Sequence, residues 1–417
     1  MAPPTDELAS WLALLRTPQL GAARIRLLVT KFGTAAAAME VRGAAWREIG
    51  IEPGGNESAA LCALKRGVEA DLEWLQGTHR ALLRYTDEDW PELLERIADP
   101  PAALFVQGRA NCLWQPQIAI VGSRKATRGG LEIAREFATG LAARGLTITS
   151  GLARGIDEAA HAAALAAGGL TIAVCGTGLD VEYPRGSAAL AVAITGRGML
   201  ISEHGTGAAP LAAHFPRRNR LISGLSLGTL VIEAGLQSGS LITARLAAEQ
   251  GREVFAVPGS IRNPLTRGCH ALIRDGARLV ESVAEVCDAL APMAAELASA
   301  IRERLGAEIA DFSSPEGHAA PTAVNREPLR REVGRQPASV PHCEQKFVSL
   351  SQEHASRSET TAWMDPVLEA IGFDPIALET LLGTIDLDTA AVSARLMTLE
   401  LAGFIEALPG ARYVRLR

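Results

Sequence analysis

The chain has 417 residues, of which 48% are hydrophobic, so it can form two to four domains with a substantial core. The first 30 residues lack the features of a secretory signal, and no run of about 18 apolar residues occurs anywhere. We therefore expect a cytoplasmic protein without a membrane partner. The net charge is -6, which excludes a protein whose whole surface attracts polyanions. Any nucleic-acid site must then be a local basic patch.

The six cysteines are far apart in the chain. None forms a C-x-x-C pair, and no histidines stand near them at the spacing of zinc ligands. We expect buried free thiols, no metal site and no cofactor. The cysteines are Cys62, Cys112, Cys175, Cys269, Cys287 and Cys343.

Residues 1–80 are predicted to form a small all-α domain. Apolar residues recur at helical spacing between about 8 and 78, with breaks at Pro18 and Gly21. The segment 17–21, followed by Arg24, is similar to the turn of a helix-hairpin-helix motif, whose backbone N–H groups can hold a phosphate. A plain turn between core helices is the alternative interpretation.

From residue 81 to 293, short β-rich runs alternate with helical runs of roughly 12 to 18 residues, which predicts βαβ units. Most strands are continuous apolar runs, as expected where helices cover both faces of a sheet. The pattern indicates an extended Rossmann-like α/β core with a mainly parallel sheet. The predicted strands are 118–121, 147–150, 171–175, 199–202, 229–232, 254–257 and 278–280, with helices at 129–143, 156–166 and 240–250.

The last part of the chain changes in composition. Residues 294–360 are rich in Ser, Pro, Glu, Arg and His with few large apolar residues, which predicts a flexible linker. The segment 361–417 has the element order of a winged helix. Its predicted helices are 366–371, 376–382 and 389–403, and its predicted hairpin strands are 404–408 and 413–416.

Two predicted strands run directly into glycine-rich turns that open helices. Open α/β sheets bind ligands at these strand ends, where glycine lets an anion approach the backbone and arginine can bind it. The first turn lacks the G-x-G-x-x-G spacing of dinucleotide sites, so a dinucleotide is disfavoured. The two turns contain Gly122, Ser123 and Arg124, and Gly151, Arg154 and Gly155.

Three titratable groups stand near the turns that follow the predicted strands. Asp157 opens a helix, where an aspartate is more often a cap than an acid or base, and His161 one turn later can bond it. Asp180 ends a third glycine-rich turn, where such a carboxylate usually bonds backbone. Structural roles are therefore favoured for all three.

The strongest local signal is the segment 214–220, His-Phe-Pro-Arg-Arg-Asn-Arg. Arginine binds phosphates, and an aromatic ring offers a face on which a base can stack. An exposed charge run or a salt-bridged interface loop is the alternative. The candidate ligands are Phe215, Arg217, Arg218, Asn219 and Arg220.

A further predicted helix opens with small hydroxyl residues. Such a helix start favours a phosphate, although a simple N-cap is the competing interpretation. The chain contains no G-x-S-x-G elbow, P-loop or H-E-x-x-H motif, so a hydrolase would need another set of residues. The candidate residues are Ser238, Gly239, Ser240 and Thr243.

In this order, the motifs resemble the DprA/Smf family of DNA-processing proteins over roughly residues 85 to 285. The flanks agree with a sterile-alpha-motif-like helical domain before the core and a winged helix after it. The motifs are WPELL at 90–94, DPPAAL at 99–104, VGSR at 121–124, SGLARGID at 150–157, GTGLD at 176–180, FPRRNRLISG at 215–224, SGSLITA at 238–244 and GREVFAVPG at 251–259.

The resemblance implies a non-catalytic homodimer that binds single-stranded DNA. It further implies that the protein loads RecA recombinase onto the strand in natural transformation and homologous recombination, with the single-stranded-DNA-binding protein SSB as another candidate partner. Residues 122–124, Phe215 and 217–220 would face the DNA, and the other glycine-rich turns would form the floor of the pocket.

Two alternatives belong to other functional classes. A nucleotide phosphoribohydrolase of the lysine-decarboxylase-like group shares the core and the Gly-Ser-Arg turn, but needs a catalytic glutamate beside a P-G-G-x-G-T stretch. Here Glu233 is present and that glycine run is absent. The other alternative is a scaffold without DNA binding, against which the arginine cluster argues.

Overall fold

The structure, a computed structural model, describes residues 7–41, 43, 46–47, 57–312, 366–371, 375–383, 385 and 387–416. The chain divides into two compact units, Met1–Ala298 and Ser299–Arg417. The predicted linker 294–360 begins inside a helix that spans Val283–Phe312, because alanine, leucine, glutamate and arginine favour helix in 294–312. Residues 313–360 of that linker, with Cys343, lie outside the described residues.

The first unit begins with helices that enclose tryptophan side chains. Trp11, Trp46 and Trp74 are buried, and Phe105 from the neighbouring sheet belongs to the same apolar cluster. The helical domain therefore shares a core with the sheet. Its helices are α1 (Glu7–Arg16), α2 (Ala22–Phe32), α3 (Ala35–Glu40) and α4 (Glu57–Leu75).

A nine-stranded sheet forms the centre of the first unit, in the order β1-β2-β6-β5-β4-β3-β7-β8-β9. Strands β3 to β9 are parallel, whereas β2 pairs antiparallel with both β1 and β6. The predicted mainly parallel core is confirmed. The strands are β1 (Arg80–Arg84), β2 (Ala103–Gly108), β3 (Gln117–Gly122), β4 (Thr147–Ser150), β5 (Thr171–Val174), β6 (Met199–Ser202), β7 (Gly228–Ile232), β8 (Glu253–Ala256) and β9 (Arg278–Leu279).

Helices cover both faces of the sheet. Successive side chains of a strand point to opposite faces, so Ile118 and Ile120 of β3 enter one apolar cluster while Ala119 and Val121 enter the other. The first cluster contains residues of α6, α7 and α12, and the second contains residues of α5, α9, α10 and α11. The helices after β1 are α5 (Glu92–Glu95), α6 (Arg128–Ala143), α7 (Ile156–Ala166), α8 (Ala188–Arg197), α9 (His214–Leu225), α10 (Gly239–Glu249), α11 (Arg267–Arg274) and α12 (Val283–Phe312).

The strand order reverses beside β3. The chain passes from β3 through β4 and β5 to β6 on one side, then crosses to β7 and continues through β8 to β9 on the other. Connections leave β3 and β7 in opposite directions, which opens a crevice at the carboxyl ends of these two strands. The fold thus places the turn after Gly122 at the position where doubly wound sheets bind ligands.

A buried ion pair joins the helical domain to the sheet. Asp71 on α4 is fully buried, and its carboxylate accepts hydrogen bonds from Arg16 Nε at 2.5 Å and Nη2 at 2.6 Å. The same carboxylate accepts from the backbone N–H of Thr206, in the loop after β6, at 2.8 Å. Because an unpaired buried charge is costly, these bonds fix the helices against that loop.

The second unit has the elements of a winged helix. Val367, Leu381, Val392 and Ile405 form part of its core. The prediction of a helix over 376–382 is wrong at its start, because residues 376 and 377 pair with residues 413 and 412 as a strand before the helix begins. The elements are α13 (Pro366–Ala370), β10 (Ile376–Ala377), α14 (Leu378–Leu382), α15 (Thr389–Leu401), β11 (Ile405–Leu408) and β12 (Arg412–Arg415).

The cysteines of the described residues are free thiols, as predicted. Cys112 and Cys269 are buried, whereas Cys62 is exposed on α4, which corrects the expectation that these thiols are buried. None of the helices in the described ranges is long and apolar enough to cross a membrane.

Candidate nucleic-acid interface

A cleft of about 700 Å³ opens where the strand order reverses. Its walls are the turn after β3, the first turns of α9 and α10, and the side chain of Tyr183. Of the residues predicted from the sequence, those that line the cleft are Gly122, Ser123, Arg124, Phe215, Arg218, Asn219, Ser238, Gly239, Ser240 and Thr243. Those absent from its lining are Gly151, Arg154, Gly155, Arg217 and Arg220.

The glycines of the first two turns allow close backbone packing. A Cβ atom on Gly122 would lie 1.9 Å from the carbonyl oxygen of Ile232, and one on Gly155 would lie 2.3 Å from that of Ser123. Gly155 also has a φ of +83°, which favours glycine. The backbone N–H of Ile156 donates to the Ser123 carbonyl at 3.2 Å, so a hydrogen bond connects the second turn to the first.

The hydroxyl groups at the start of α10 form a short hydrogen-bonded chain. Ser238 caps the helix by accepting from the backbone N–H of Ser240 at 3.3 Å, and its hydroxyl donates to Ser240 Oγ at 3.0 Å. Ser240 Oγ in turn donates to the carbonyl of Gly122 at 2.8 Å. The N-cap interpretation therefore describes Ser238, and the chain fixes α10 against the first turn. Phosphate binding at this helix start stays a prediction.

Arg218 is buried beneath the cleft and forms hydrogen bonds within the protein. Its Nη1 donates to the carbonyl of Gly151 at 2.8 Å and also to the carbonyl of Val174. Burial lowers the pKa of Arg218, and the nearby carboxylate of Asp157 opposes that shift. The guanidinium thus connects α9 to the ends of β4 and β5. It packs so closely against Gly151 that a Cβ atom there would lie 2.7 Å from Nη2 of Arg218.

Arg220 lies outside the cleft in an ion pair. Its Nη1 and Nη2 donate to the two carboxylate oxygens of Glu203 at 2.5 and 2.6 Å, and its Nε donates to the carbonyl of Asp99 at 2.8 Å. The alternative of a salt-bridged interface therefore fits the geometry of Arg220, and its contact with DNA stays a prediction. The physical reason is that all three donating nitrogens already have acceptors in the protein.

Three of the predicted arginines are exposed at or near the mouth of the cleft. The guanidinium carbon of Arg124 lies 5.9 Å from the centroid of the Phe215 ring. Arg154 reaches across to the carbonyl of Arg185 at 3.2 Å. Arg217 stands on the solvent side of α9. Within the described residues, neither Arg124 nor Arg217 has an ion-pair partner, so both can meet an anion from solution.

Tyr183 belongs to the site, although the sequence-based candidates omit it. Its ring lies 5.0 Å from the Phe215 ring, centroid to centroid, at an interplanar angle of 36°. Gly176, in the turn after β5, packs under Phe215, where a Cβ atom would lie 3.1 Å from the ring. The signal in the sequence is an aromatic residue that follows a glycine-rich strand-to-helix turn. The pair of rings gives the cleft an aromatic wall.

The nearby acidic groups and His161 have structural hydrogen bonds. Asp157 accepts from the backbone N–H of Gly151 at 3.1 Å, and burial raises its pKa while Arg218 opposes the shift. His161 bonds Thr171 at 2.6 Å instead of Asp157. Asp180 accepts from the backbone N–H of Gly207 at 2.9 Å. The structural interpretation of these groups thus fits the geometry.

Glu233, the glutamate that a phosphoribohydrolase would require, is hydrogen-bonded to Thr127, the N-cap residue of α6. Its carboxylate accepts from the backbone N–H of Thr127 at 2.8 Å and from the Thr127 hydroxyl at 2.6 Å, and Asn263 donates at 3.3 Å. Glu233 is not among the residues that line the cleft. In the described parts of the chain, no group of three His, Cys, Asp or Glu side chains is placed to hold a metal ion.

The fold and the cleft define a class of protein, a Rossmann-like α/β protein with a basic, aromatic-walled cleft at the switch point of its sheet. The family model described as DNA recombination-mediator protein A matches residues 81–291, half of the chain. Models of a DprA-like N-terminal HHH domain and of a DprA winged helix domain match 5–49 and 351–411. The chain therefore belongs to the DNA recombination-mediator protein A family, the DprA/Smf proteins.

Similarity to individual proteins supports this assignment. Protein Smf of Escherichia coli is 49% identical over 227 residues, which are 54% of this chain and 61% of that protein. Protein Smf of Synechocystis is 32% identical over 417 residues, with 98% of this chain and 99% of that protein covered. The X-ray structure of DNA processing protein A from Streptococcus pneumoniae is 38% identical, covers 67% of this chain and 97% of that one, and has a TM-score of 0.59.

The different positions of the α9 arginines predict different effects of their removal. Arg220→Met leaves the largely buried carboxylate of Glu203 without its partner, so we expect the free energy of unfolding to fall by roughly 3–5 kcal/mol. Arg217→Ala, at an exposed position, should change it by less than about 0.5 kcal/mol. Urea titrations of both variants measure the difference, and equal losses would contradict the placement of Arg220.

Proposed function

We propose that this protein binds single-stranded DNA in the cleft at the switch point and loads RecA recombinase onto the bound strand. The observation that carries the proposal is the position of Arg124 beside the Phe215 and Tyr183 rings at the mouth of the cleft. Arginine next to stacked aromatic rings is the combination that holds a phosphate and its neighbouring base together.

Phosphates have three kinds of contact available in this cleft. Arg124 in the cleft and Arg217 outside its lining supply exposed positive charge, the turn at Gly122 supplies backbone, and the first turn of α10 supplies the positive end of a helix dipole. None of these groups distinguishes one base from another. The proposed binding is therefore sensitive to salt and largely independent of sequence.

The aromatic wall favours a single strand over a duplex. Bases of a duplex are stacked on one another, whereas bases of a single strand are free to lie against Phe215 and Tyr183. A homodimer, which belongs to the proposal through the family, would place two such clefts on one strand and gain affinity by linkage. A strand held in this way would be a substrate for RecA, and SSB is a further partner in the proposal.

The proposed function is non-catalytic, and the positions of the carboxylates in and near the cleft support this part of the proposal. Asp157 is the carboxylate among the residues that line the cleft, and it is buried and hydrogen-bonded to backbone. Glu233 does not line the cleft, and its carboxylate accepts hydrogen bonds from Thr127. No contact in the described residues favours the phosphoribohydrolase alternative over DNA binding.

Substitution of Arg124 tests the proposed cleft directly. Arg124→Ala removes an exposed cation without removing a buried contact, so we expect affinity for oligothymidine to fall about tenfold and the salt slope to fall by about 0.7. Fluorescence anisotropy at two salt concentrations measures both quantities. Arg135→Ala is a matched control, because Arg135 is exposed on α6 and does not line the cleft. Equal affinity of Arg124→Ala and wild type at low salt would refute the assignment.

The RecA part of the proposal needs its own measurement. On strands coated with SSB, wild-type protein should shorten the delay before RecA begins to hydrolyse ATP, because a strand held in the cleft is presented to the recombinase. Arg124→Ala should not shorten it. If wild-type protein binds oligothymidine but leaves the delay unchanged, the result contradicts the loading function and is consistent with the DNA-binding function.

A further inference from the structure

A second cavity, of about 290 Å³, adjoins the cleft on the far side of Tyr183. The ring of Tyr183 lines both spaces and is 37% exposed. The second cavity lies between the loop that leads to Tyr183, helix α8, and the ends of β2 and β6. Tyr183 is thus a shared wall between a basic cleft and a neighbouring open cavity.

Leucine side chains form part of the walls of the second cavity. Leu152, Leu179 and Leu200 line it, together with the side chain of Cys175. Burial raises the pKa of the Cys175 thiol to about 11, so the sulfur is uncharged at neutral pH. The carboxylate of Glu182 already accepts from the backbone N–H of Gly186 at 2.7 Å. These surfaces suit a flat, uncharged group better than a phosphate.

One polar side chain in the wall has hydrogen-bonding capacity left. Gln107, at the end of β2, is half-buried, and its amide makes no side-chain hydrogen bond to any residue that the structure describes. An amide offers both a donor and an acceptor. Its neighbour Arg80 is occupied, because its guanidinium lies 4.9 Å from the Trp74 ring centroid and donates to the Trp74 carbonyl.

Size and chemistry together identify the class of ligand. Ligand pockets measure roughly 300–1,000 Å³, so this cavity suits a fragment of a nucleotide rather than a whole one. A nucleobase has apolar faces and an edge with donors and acceptors, which matches leucine walls beside a single free amide. A phosphate would meet Asp180 and Glu182 in the same wall.

We propose that the second cavity is a nucleobase site, which one base of the strand bound in the cleft enters past Tyr183. The base lies between the apolar walls, and its edge meets the Gln107 amide. This inference rests on the proposed function, since the strand must first bind in the cleft. Tyr183 then separates a base held in the second cavity from a base stacked on Phe215.

A cavity-filling variant tests the inference without altering the cleft. Ala191 on α8 lines the second cavity and does not line the cleft, so Ala191→Phe fills the space that the base would occupy. Ala193→Phe adds the same side chain at an exposed position of the same helix and serves as the control. Each protein is titrated with oligothymidine and with an abasic deoxyribose-phosphate polymer of equal length and charge.

We expect Ala191→Phe to bind oligothymidine about tenfold more weakly than wild type and Ala193→Phe, the loss of roughly one stacked base. All three proteins should bind the abasic polymer equally, which shows that the cleft is intact in the variant. Unchanged binding of oligothymidine by Ala191→Phe overturns the inference and leaves the cavity to another occupant, such as an apolar side chain of a protein partner.

Two further results separate the inference from the proposed function. If Ala191→Phe weakens the binding of both polymers equally, the substitution disturbs the fold or the phosphate contacts. That result would overturn the nucleobase site. Failure of wild-type protein to bind either polymer would overturn the DNA-binding proposal, and the nucleobase site with it.

Discussion

The cleft depends on one buried cation. Arg218 donates to carbonyl groups at the ends of β4 and β5 while it sits on the first turns of α9, so it determines where that helix begins relative to the sheet. A buried guanidinium is costly unless its hydrogen bonds are satisfied, and here backbone carbonyls and the nearby Asp157 carboxylate compensate it. With α9 fixed in this way, Phe215 is held at the rim of the cleft beside Arg124.

Helix geometry explains why neighbouring arginines differ in role. Adjacent helical residues point about 100° apart, so Arg217 faces solvent while Arg218 faces the sheet, and Arg220 reaches Glu203 on a third side. The sequence shows a cluster of cations, and it does not show their directions. A polar run that is buried on one side resembles an exposed charge run until tertiary contacts are known.

Most of the parallel strands could be predicted because they are continuous apolar runs, whereas the short edge strand β1, flanked by arginines, has no such pattern. Tyr183 could not be assigned, because its partner Phe215 is distant in the chain and only the fold brings them together.

The distribution of charge favours the cleft of the first unit as the proposed site of DNA contact. The chain is acidic overall, and the exposed arginines at the cleft form the local patch that a polyanion needs. In the second unit, helix α15 exposes Met397 and Leu401 and carries a single arginine, Arg395, while strand β12 adds Arg412 and Arg415. Helix-turn-helix motifs contact duplex DNA through a recognition helix, and the exposed face of α15 is less basic than such helices usually are.

Hydrogen exchange on the full chain, with and without oligothymidine, tests the central claim that the cleft is the DNA site. We predict slower exchange in the segments that contain residues of the cleft lining, 121–127, 178–185, 211–219 and 236–243, with unchanged exchange in 389–401 of α15. Protection confined to the N-terminal helices or to the winged helix, with the cleft segments unchanged, would contradict it.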